Sequence, residues 1–600
     1  MLSITRKNGI LIFVNDLFSL GEMKPEQVLN LEQVSQQKIE FDHENMKQKS
    51  GWTVQRIRLS PQEKHLAATW ATDEVLFYTT LEGLRCSRVC RLDLTSSGSR
   101  INSVYEETRP DVFVEVALSR DQQVMTINCS SRTSSEVLLI DLTTSHLEPF
   151  LVLPRQLDLL YYVEHWRRLL IILANTGPGQ EYQVKFIQHI CEHTAAYIHT
   201  DVYMQDYYLL LSNTGKKGRK MLSSHLGKFY CNHARHLPSW ACAITIKKPG
   251  VADEDGVFEF LISSPVHSPV PYCLYPKDGL LFSDTKDESS PEVQGACIIT
   301  RLEACNKDGT SVPVTLFHTV PVEVLREVPL LVHVYGAYGQ DLNMEFSPEK
   351  RLLLEQGWAL AYCHIRGGGE LGLSWQRQAR VEGKKRGLED LHACLQHIFS
   401  LGVSSPSITA LTACSAGAVP VGALCNKYPH MARAVTLQAP FLDVLGTMED
   451  PSLPLTLEDR EEWGDPVENP KHRQIISFYC PSYNITPQCY PSMLLTAYSG
   501  DARIPLAGVL KYTKKLKNAV HTHFTMKPKS EFETVPNIVL NIQSGTSHHG
   551  PDDFKLMLEE VMHSPARLSE YTYNAHYLLV FFPQQALFLV DKYELVVNQM

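Results

Sequence analysis

The pentapeptide Ala413-Cys414-Ser415-Ala416-Gly417 ends the apolar run ITALTA and opens a second apolar stretch, GAVPVGALCNKY. A serine at a strand-to-helix turn, with small residues two before and two after, fits the G-x-S-x-G nucleophile pattern, here with Ala413 for the first glycine. The small residues let strand and helix approach, and the sharp turn exposes the hydroxyl. The helix start also aims the backbone N–H of Ala416 and the helix dipole at a developing oxyanion. Two partners complete such chemistry: the apolar run SMLLTAY is followed by Ser499-Gly500-Asp501, and NIVLNIQ by Ser544-Gly545-Thr546-Ser547-His548-His549. Ser415 would attack a carbonyl carbon, His548 would take and return its proton, and Asp501 would fix the imidazole tautomer and stabilise the imidazolium. His549 competes with His548 for the role of base. An aspartate after a strand is often only a helix cap, and a histidine in a Gly/Ser loop is often only solvated. The ordered set, Ser then Asp then His, each after a later strand, is what points to acyl transfer.

These residues need a scaffold that delivers each to the same edge. After Arg301 the apolar runs PLLVHVYG, WALAYCHI, ITALTACS, AVTLQAP, SMLLTAY and NIVLNI alternate with helical stretches such as GLEDLHACLQHIFSLG and PLAGVLKYTKKLKNAV. Continuous apolar strands separated by helices predict a parallel sheet covered on both faces, with catalytic groups on loops beyond the strand ends. The order of the three residues makes this an α/β-hydrolase domain. From about residue 50 to 300 the texture is different: short strands such as VLFYTTL, VFVEVAL, LLIILAN and FEFLISSPV lie between polar turns with no long helix among them. That spacing predicts a sandwich, barrel or propeller, and its length would hold about six or seven blades.

Composition bounds what such a chain can do. Its 600 residues exceed one core and predict several domains or two large ones. With 66 acidic against 56 basic residues, a net charge of −10 and no long basic run, nucleic acid is not an expected partner. The 15 cysteines are odd in number and have no repeating interval, which predicts free thiols in a reducing compartment. The apolar run from Ile10 to Val14 is too short for a secretion leader, so the sequons at Asn128 and Asn484 carry no expectation of glycans. The most apolar stretch, Tyr577 to Val590, is broken by Pro583, Gln584 and Gln585, and no transmembrane segment is expected.

Further motifs connect the chain to a known family. Pro329-Leu-Leu-Val-His-Val-Tyr335-Gly-Ala-Tyr338-Gly, His364-Ile-Arg366-Gly-Gly-Gly-Glu370-Leu-Gly372 and the serine turn resemble the prolyl oligopeptidase family of serine hydrolases. So do Ala434-Val-Thr-Leu-Gln-Ala-Pro440-Phe-Leu-Asp443, Pro454-Leu-Thr-Leu with Glu461-Glu462-Trp463-Gly464, and Tyr490-Pro-Ser-Met through Arg503-Ile-Pro505. The resemblance is strong over 300–560 and more diffuse over 50–300. It implies an α/β-hydrolase catalytic domain plus an all-β seven-bladed propeller domain over the active site. The division it suggests is a lead-in at 1–50, the propeller at 51–300, the catalytic domain at 301–560 and an atypical tail at 561–600. Tyr335 matches the family's tyrosine whose hydroxyl completes the oxyanion hole with the N–H of Ala416. Arg503 matches a residue that binds a substrate carbonyl. The family cleaves short peptides, and one branch looks more like an esterase or thioesterase acting on acylated cysteine. That branch also implies a cytosolic protein, associated with the Golgi through trafficking adaptor proteins. The departures are Ala413, Ala418 and Pro420, the last about one turn into the helix, where a missing N–H would cost an intrahelical bond. They motivate the alternative of a partner-binding scaffold that regulates trafficking without catalysis.

Several patterns are set aside. Gly367-Gly-Gly369-Glu-Leu-Gly372 matches a dinucleotide fingerprint but leads into a polar run, LSWQRQARVEGKKRG, so a tight loop near the active site is expected. His189-Ile-Cys-Glu192-His193 has zinc-peptidase spacing in a strand-like stretch, and Cys231, His233, His236, Cys86 and Cys90 lack complementary ligands. The run Lys216 to Lys220 reads as a solvated hairpin tip. No cofactor and no metal are expected. The expected partners are an acyl-thioester, ester or short-peptide substrate and the adaptor proteins.

Overall fold

The computed structural model describes residues 297–526, 535–544 and 547–550, most of 71–175, residues 241–246 and 258–273, and the backbone of the strands named below. The chain divides into two compact units, Met1–Val202 and Tyr203–Met600. Six small antiparallel sheets follow one another along the chain before the hydrolase sheet begins. The first unit holds four of them, including the strands Lys64–Trp70, Val75–Glu82, Arg85–Thr95 and Gly98–Glu106 of one sheet and Phe113–Leu118, Val124–Ser130, Ser135–Asp141 and Pro149–Leu153 of the next. Each is a meander in which neighbours in sequence pair in space.

The alternation in these strands explains their stacking. In Phe113–Leu118, Val114 and Val116 are buried while Glu115 is exposed, the half-buried period of two. Phe77 and Val89 of one sheet share a core with Val114, Met125 and Ile127 of the next. Val137 and Leu139 then meet Tyr161, Leu170 and Ile172 of the third. Tyr161 also receives the N–H of Val137 at 2.8 Å and donates its hydroxyl to the carbonyl of Leu153 at 2.6 Å. Sheets that pack face to face in chain order are the repeating unit of a propeller. The second unit carries two more, Tyr208–Ser212 with its partners and Ala243–Ile246 with its partners. The described residues thus show six, and much of 176–240 and 276–296 lies outside them. The zinc-like motif at 189–193, Cys231, His233 and the tail at 561–600 also lie outside. Of the basic run, Lys220 opens the strand Lys220–Ser224, which pairs with Tyr208–Ser212, and 216–219 lie outside the described residues.

The rest of the second unit is an eight-stranded sheet. In chain order its strands are β1 Ile298–Cys305, β2 Ser311–His318, β3 Leu330–Val334, β4 Ala359–Cys363, β5 Thr409–Cys414, β6 Ala434–Gln438, β7 Ser492–Tyr498 and β8 Ile538–Gln543. Their spatial order is β1-β2-β4-β3-β5-β6-β7-β8. From β4 to β8 every pairing is parallel. The parallel sheet expected from the apolar runs is β3 to β8, and two strands outside those runs extend it: β1 pairs antiparallel with β2, and β2 antiparallel with β4. The strand β1 lies at the edge and alternates exposed Arg301 and Glu303 with inward residues, so its pattern differs from the fully buried β4. The longer helices among the described residues are α1 Pro348–Glu355, α2 Lys385–Ser400, α3 Ala418–Lys427, α4 Thr456–Trp463, α5 Pro470–Tyr479 and α6 Leu506–Met526. Leu391, Leu395 and Ile398 of α2, with Val421 and Leu424 of α3, close one core on Val332, Ala361 and Leu411. Among the described residues no helix is long and apolar enough to cross a membrane.

The glycines after β3 and β4 explain the motif that resembled a dinucleotide fingerprint. A Cβ on Gly367 would lie 2.3 Å from the carbonyl oxygen of Gly336, and one on Gly369 would lie 2.2 Å from that of Gly339. The two loops interlock backbone to backbone, which only glycine permits. Beneath them Arg366 is buried and makes three hydrogen bonds to Asp390 of α2, one from its backbone N–H at 3.0 Å and two from its guanidinium at 2.8 and 2.7 Å. Asn306 donates to the same carboxylate, and Arg366 reaches Asp308 at 2.7 Å.

Asp390→Ala should cost about 3 kcal/mol, because it removes two of the buried guanidinium's bonds and leaves it the exposed Asp308 as its only charged partner among the described residues. Denaturant unfolding measures this. A second signature is pH. Burial acts to raise the pKa of Asp308, but hydrogen bonds from Arg366 and Thr310 hold it down at about 2. A lowered folded value means that this stabilisation is present above the unfolded ~3.9 and is lost as pH falls toward about 2. Asp308→Asn should flatten acid unfolding in that window.

Candidate active site

The strand β5 ends at Cys414, and Ser415 enters a tight 3-10 turn, Ser415–Gly417, that runs directly into α3. Ser415 has φ of +50°, a left-handed conformation that costs a non-glycine residue free energy. The turn is held from two sides. The N–H of Phe441, just beyond β6, donates to the Ser415 carbonyl at 3.0 Å. On the other side, a Cβ on Gly417 would lie 2.8 Å from the Val334 carbonyl oxygen and 3.1 and 3.2 Å from Cα and Cδ2 of Tyr335. Gly417 is therefore required by the close approach of β3. Ala413 is accommodated in the core of the sheet, 8% exposed. Pro420 is the third residue of α3, which follows the turn Ser415–Gly417 without a break.

Ser415, His548 and Asp501 converge at the carboxyl ends of β5, β7 and β8. His548 Nε2 lies 3.0 Å from Ser415 Oγ, and its Nδ1 lies 2.7 Å from Asp501 Oδ2. A carboxylate can only accept, so Nδ1 carries the proton and Nε2 is left to accept from the serine hydroxyl. The other oxygen of Asp501 accepts the backbone N–H of Arg503 at 2.8 Å and of Ile504 at 3.0 Å. The carboxylate is 3% and the imidazole 11% exposed. Burial acts to raise the pKa of Asp501, yet the hydrogen bond from His548 and the two backbone N–H groups outweigh it and hold the carboxyl below its ordinary range. The sheet fixes the spacing of the two loops, since β7 and β8 pair in register to Tyr498 and Gln543, and Ser499 then donates to the Gln543 carbonyl at 2.9 Å. His549, the rival base, stands edge-on to His548 at 5.6 Å, and it is His548 that faces the serine.

Ala416 is buried at the amino end of the turn, among the groups that a helix start leaves without an intrahelical acceptor. Tyr335 follows β3 directly, and its ring lies against Gly417 of the same turn. Arg503 is exposed two residues beyond Asp501, to which it gives its backbone N–H. The described cysteines are all free, and Cys414, beside Ser415, is exposed.

The sequence reading quoted Glu462, Trp463 and Tyr338 only as motif letters. The structure joins them. Glu462 is fully buried, pairs with Lys384 and accepts the N–H of Tyr338 at 3.0 Å, while Trp463 Nε1 donates to the Tyr338 hydroxyl at 2.8 Å. In the sequence this acid reads as solvent-facing, and its basic partner is 78 residues away.

The family model described as "Prolyl oligopeptidase family" matches residues 344–532, and that described as "Prolyl oligopeptidase, N-terminal beta-propeller domain" matches residues 58–185. A protein of Homo sapiens named "Prolyl endopeptidase-like" is 41% identical over 512 residues, covering 82% of this chain and 68% of that protein. Its namesake from Gallus gallus is 38% identical over 548 residues, covering 83% and 73%. Among solved structures, oligopeptidase B from Trypanosoma brucei with covalently bound antipain superposes with a TM-score of 0.69 at 24% identity, covering 87% of this chain and 72% of that one.

Gly417→Ala should destabilise the protein by about 1–3 kcal/mol, the ordinary cost of forcing a methyl into a closed site. Ala413→Gly should cost well under half of that. Thermal unfolding of the two variants side by side reads the difference.

Proposed function

Because this chain belongs to the prolyl oligopeptidase family of serine peptidases, we propose that it is a hydrolase working through an acyl-enzyme on Ser415. The observation that carries this reading is the unbroken hydrogen-bonded chain from Ser415 Oγ through His548 to Asp501. Ser415 attacks the substrate carbonyl as His548 Nε2 takes its proton, and the charge that appears on the imidazole is met by the ionised Asp501. The negative charge on the tetrahedral intermediate falls to the Ala416 N–H and the Tyr335 hydroxyl. His548 then returns the proton to the leaving group, and a water repeats the cycle to free the acid. Asp501, with its carboxyl held below the ordinary range, stays ionised throughout.

The substrates we propose are esters and thioesters, acylated cysteine among them, with short peptides turned over more slowly. Thiols and alcohols leave more readily than amines, so an acyl-enzyme site with modest positioning favours them. Arg503, exposed beside Asp501, is proposed to bind a substrate carbonyl. The domains are proposed as a lead-in at 1–50, a propeller at 51–300, a catalytic domain at 301–560 and a tail at 561–600. Residence in the cytosol and a role at Golgi membranes with trafficking adaptors extend the reading. The alternative is a partner-binding scaffold that regulates trafficking without catalysis, motivated by the departures Ala413, Ala418 and Pro420 around Ser415 and by the family resemblance.

A fluorescent serine-hydrolase probe should label the purified chain, and Ser415→Ala should abolish the labelling; retained labelling would sink the nucleophile assignment. Side-by-side rates should fall in the order thioester, ester, peptide. Full rescue of knockout cells by Ser415→Ala would hand the function to the scaffold reading. Tyr335→Phe should lower kcat by roughly 100- to 1,000-fold with little change in KM, the ordinary loss for one oxyanion donor.

A further inference from the structure

The loop after β3 holds three residues in the left-handed region: Gly336 at φ of +69°, Tyr338 at +59° and Gly339 at +65°. Glycine adopts this conformation freely, but Tyr338 does so at a cost and persists there only if its surroundings insist. Its contacts supply that constraint. Its backbone N–H donates to Glu462 Oε1 at 3.0 Å, and its hydroxyl accepts from Trp463 Nε1 at 2.8 Å. Its ring stands edge-on to that of Trp463 at 5.9 Å and 83°.

Glu462 is a costly residue to keep where it is. It is 0% exposed, and a buried carboxylate is tolerated only with close partners. Lys384 supplies the charge by contact with Oε1 and lies 4.2 Å over the Trp463 ring, while Arg380 Nε stands 3.8 Å from Oε2. Two basic side chains and one strained peptide thus meet on a single carboxylate. None of them belongs to the hydrogen-bonded chain on Ser415. What the carboxylate does hold is the backbone N–H three residues from Tyr335.

We propose that Glu462 is a positioning residue: by fixing Tyr338 in its left-handed conformation it sets the Tyr335 hydroxyl where the oxyanion forms. This rests on Tyr335 acting as the oxyanion donor, as argued above. Without the acceptor, Tyr338 relaxes toward the ordinary negative-φ region, and the loop that begins at Tyr335 moves with it. Other contacts meet the same loop, among them the Gly339 N–H to the Gly367 carbonyl at 2.9 Å and the packing of Tyr335 on Gly417, and the carboxylate adds the bond to the Tyr338 N–H.

The test is a double-mutant cycle in the full chain on one chromogenic ester. Glu462→Leu should lower kcat on the order of 10- to 100-fold with KM within about twofold, the signature of a contact made only in the transition state. Glu462→Gln keeps an acceptor for Tyr338 and should retain kcat within about threefold. In a Tyr335→Phe background, Glu462→Leu should cost less than about twofold more, since the group it positions is already gone. A penalty that multiplies in full in that background overturns the positioning role and leaves Tyr335 as the donor. Unchanged kcat in Tyr335→Phe alone overturns both readings. If Glu462→Leu does not fold because Lys384 is left uncompensated, Glu462→Leu with Lys384→Met removes both charges, and the same cycle is read on that pair.

Discussion

The constraint on which the rest of this structure depends is the passage of the backbone through Ser415. The chain leaves a buried parallel strand, turns through a left-handed residue and enters a helix within three positions. Such a turn is unfavourable by itself and has to be stabilised by what surrounds it. Here the stabilisation is steric and polar together: β3 closes on Gly417 from one side, and the backbone beyond β6 bonds the Ser415 carbonyl from the other. Because β3, β5 and β6 are neighbours in the sheet, the hydroxyl is held at the point where the loops after β7 and β8 can reach it. The imidazole and carboxylate then need only short loops to complete the site.

Around that turn, buried charge is used to hold loops rather than to add bulk stability. Arg366 and Asp390 tie the loop after β4 to α2, and Glu462 and Lys384 tie the loop after β3 to α4. Replacing such pairs with apolar residues of like size is often neutral for stability, so their retention calls for another reason. Each pair bonds a backbone N–H as well as its counter-charge: Asp390 takes that of Arg366 and Glu462 that of Tyr338. Apolar substitutes could not fix a backbone group in this way. The interlocked glycines complete the arrangement, since they bring the two loops within backbone contact and leave no room for side chains to compete.

Much of this was legible in the residues. The apolar runs marked β3 to β8, and the order of serine, aspartate and histidine after three of them singled out the side chains that the structure brings together, because each sits where a parallel strand must end. The alternation of strands such as Phe113–Leu118 marked the strand-rich portion. Less was legible at β1 and β2, since an edge strand with one wet face carries charges such as Arg301 and Glu303 in its pattern. The helix α4 was hidden for a related reason: its buried face includes Asp459 and Glu462, acids that read as solvent-facing until their partners are known.

Chain order and residue type alone therefore determined the class of fold, the kind of chemistry and the candidates for it, because hydrophobic period and strand-end position are local properties. The tertiary structure set His548, and not His549, within hydrogen-bond distance of Ser415, placed Pro420 early in α3, and turned a glycine motif into a backbone contact. It also brought Lys384 to Glu462 and Glu462 to Tyr338. Those outcomes depend on which atoms meet across long separations in sequence, and only the packed sheet with its helices sets those distances.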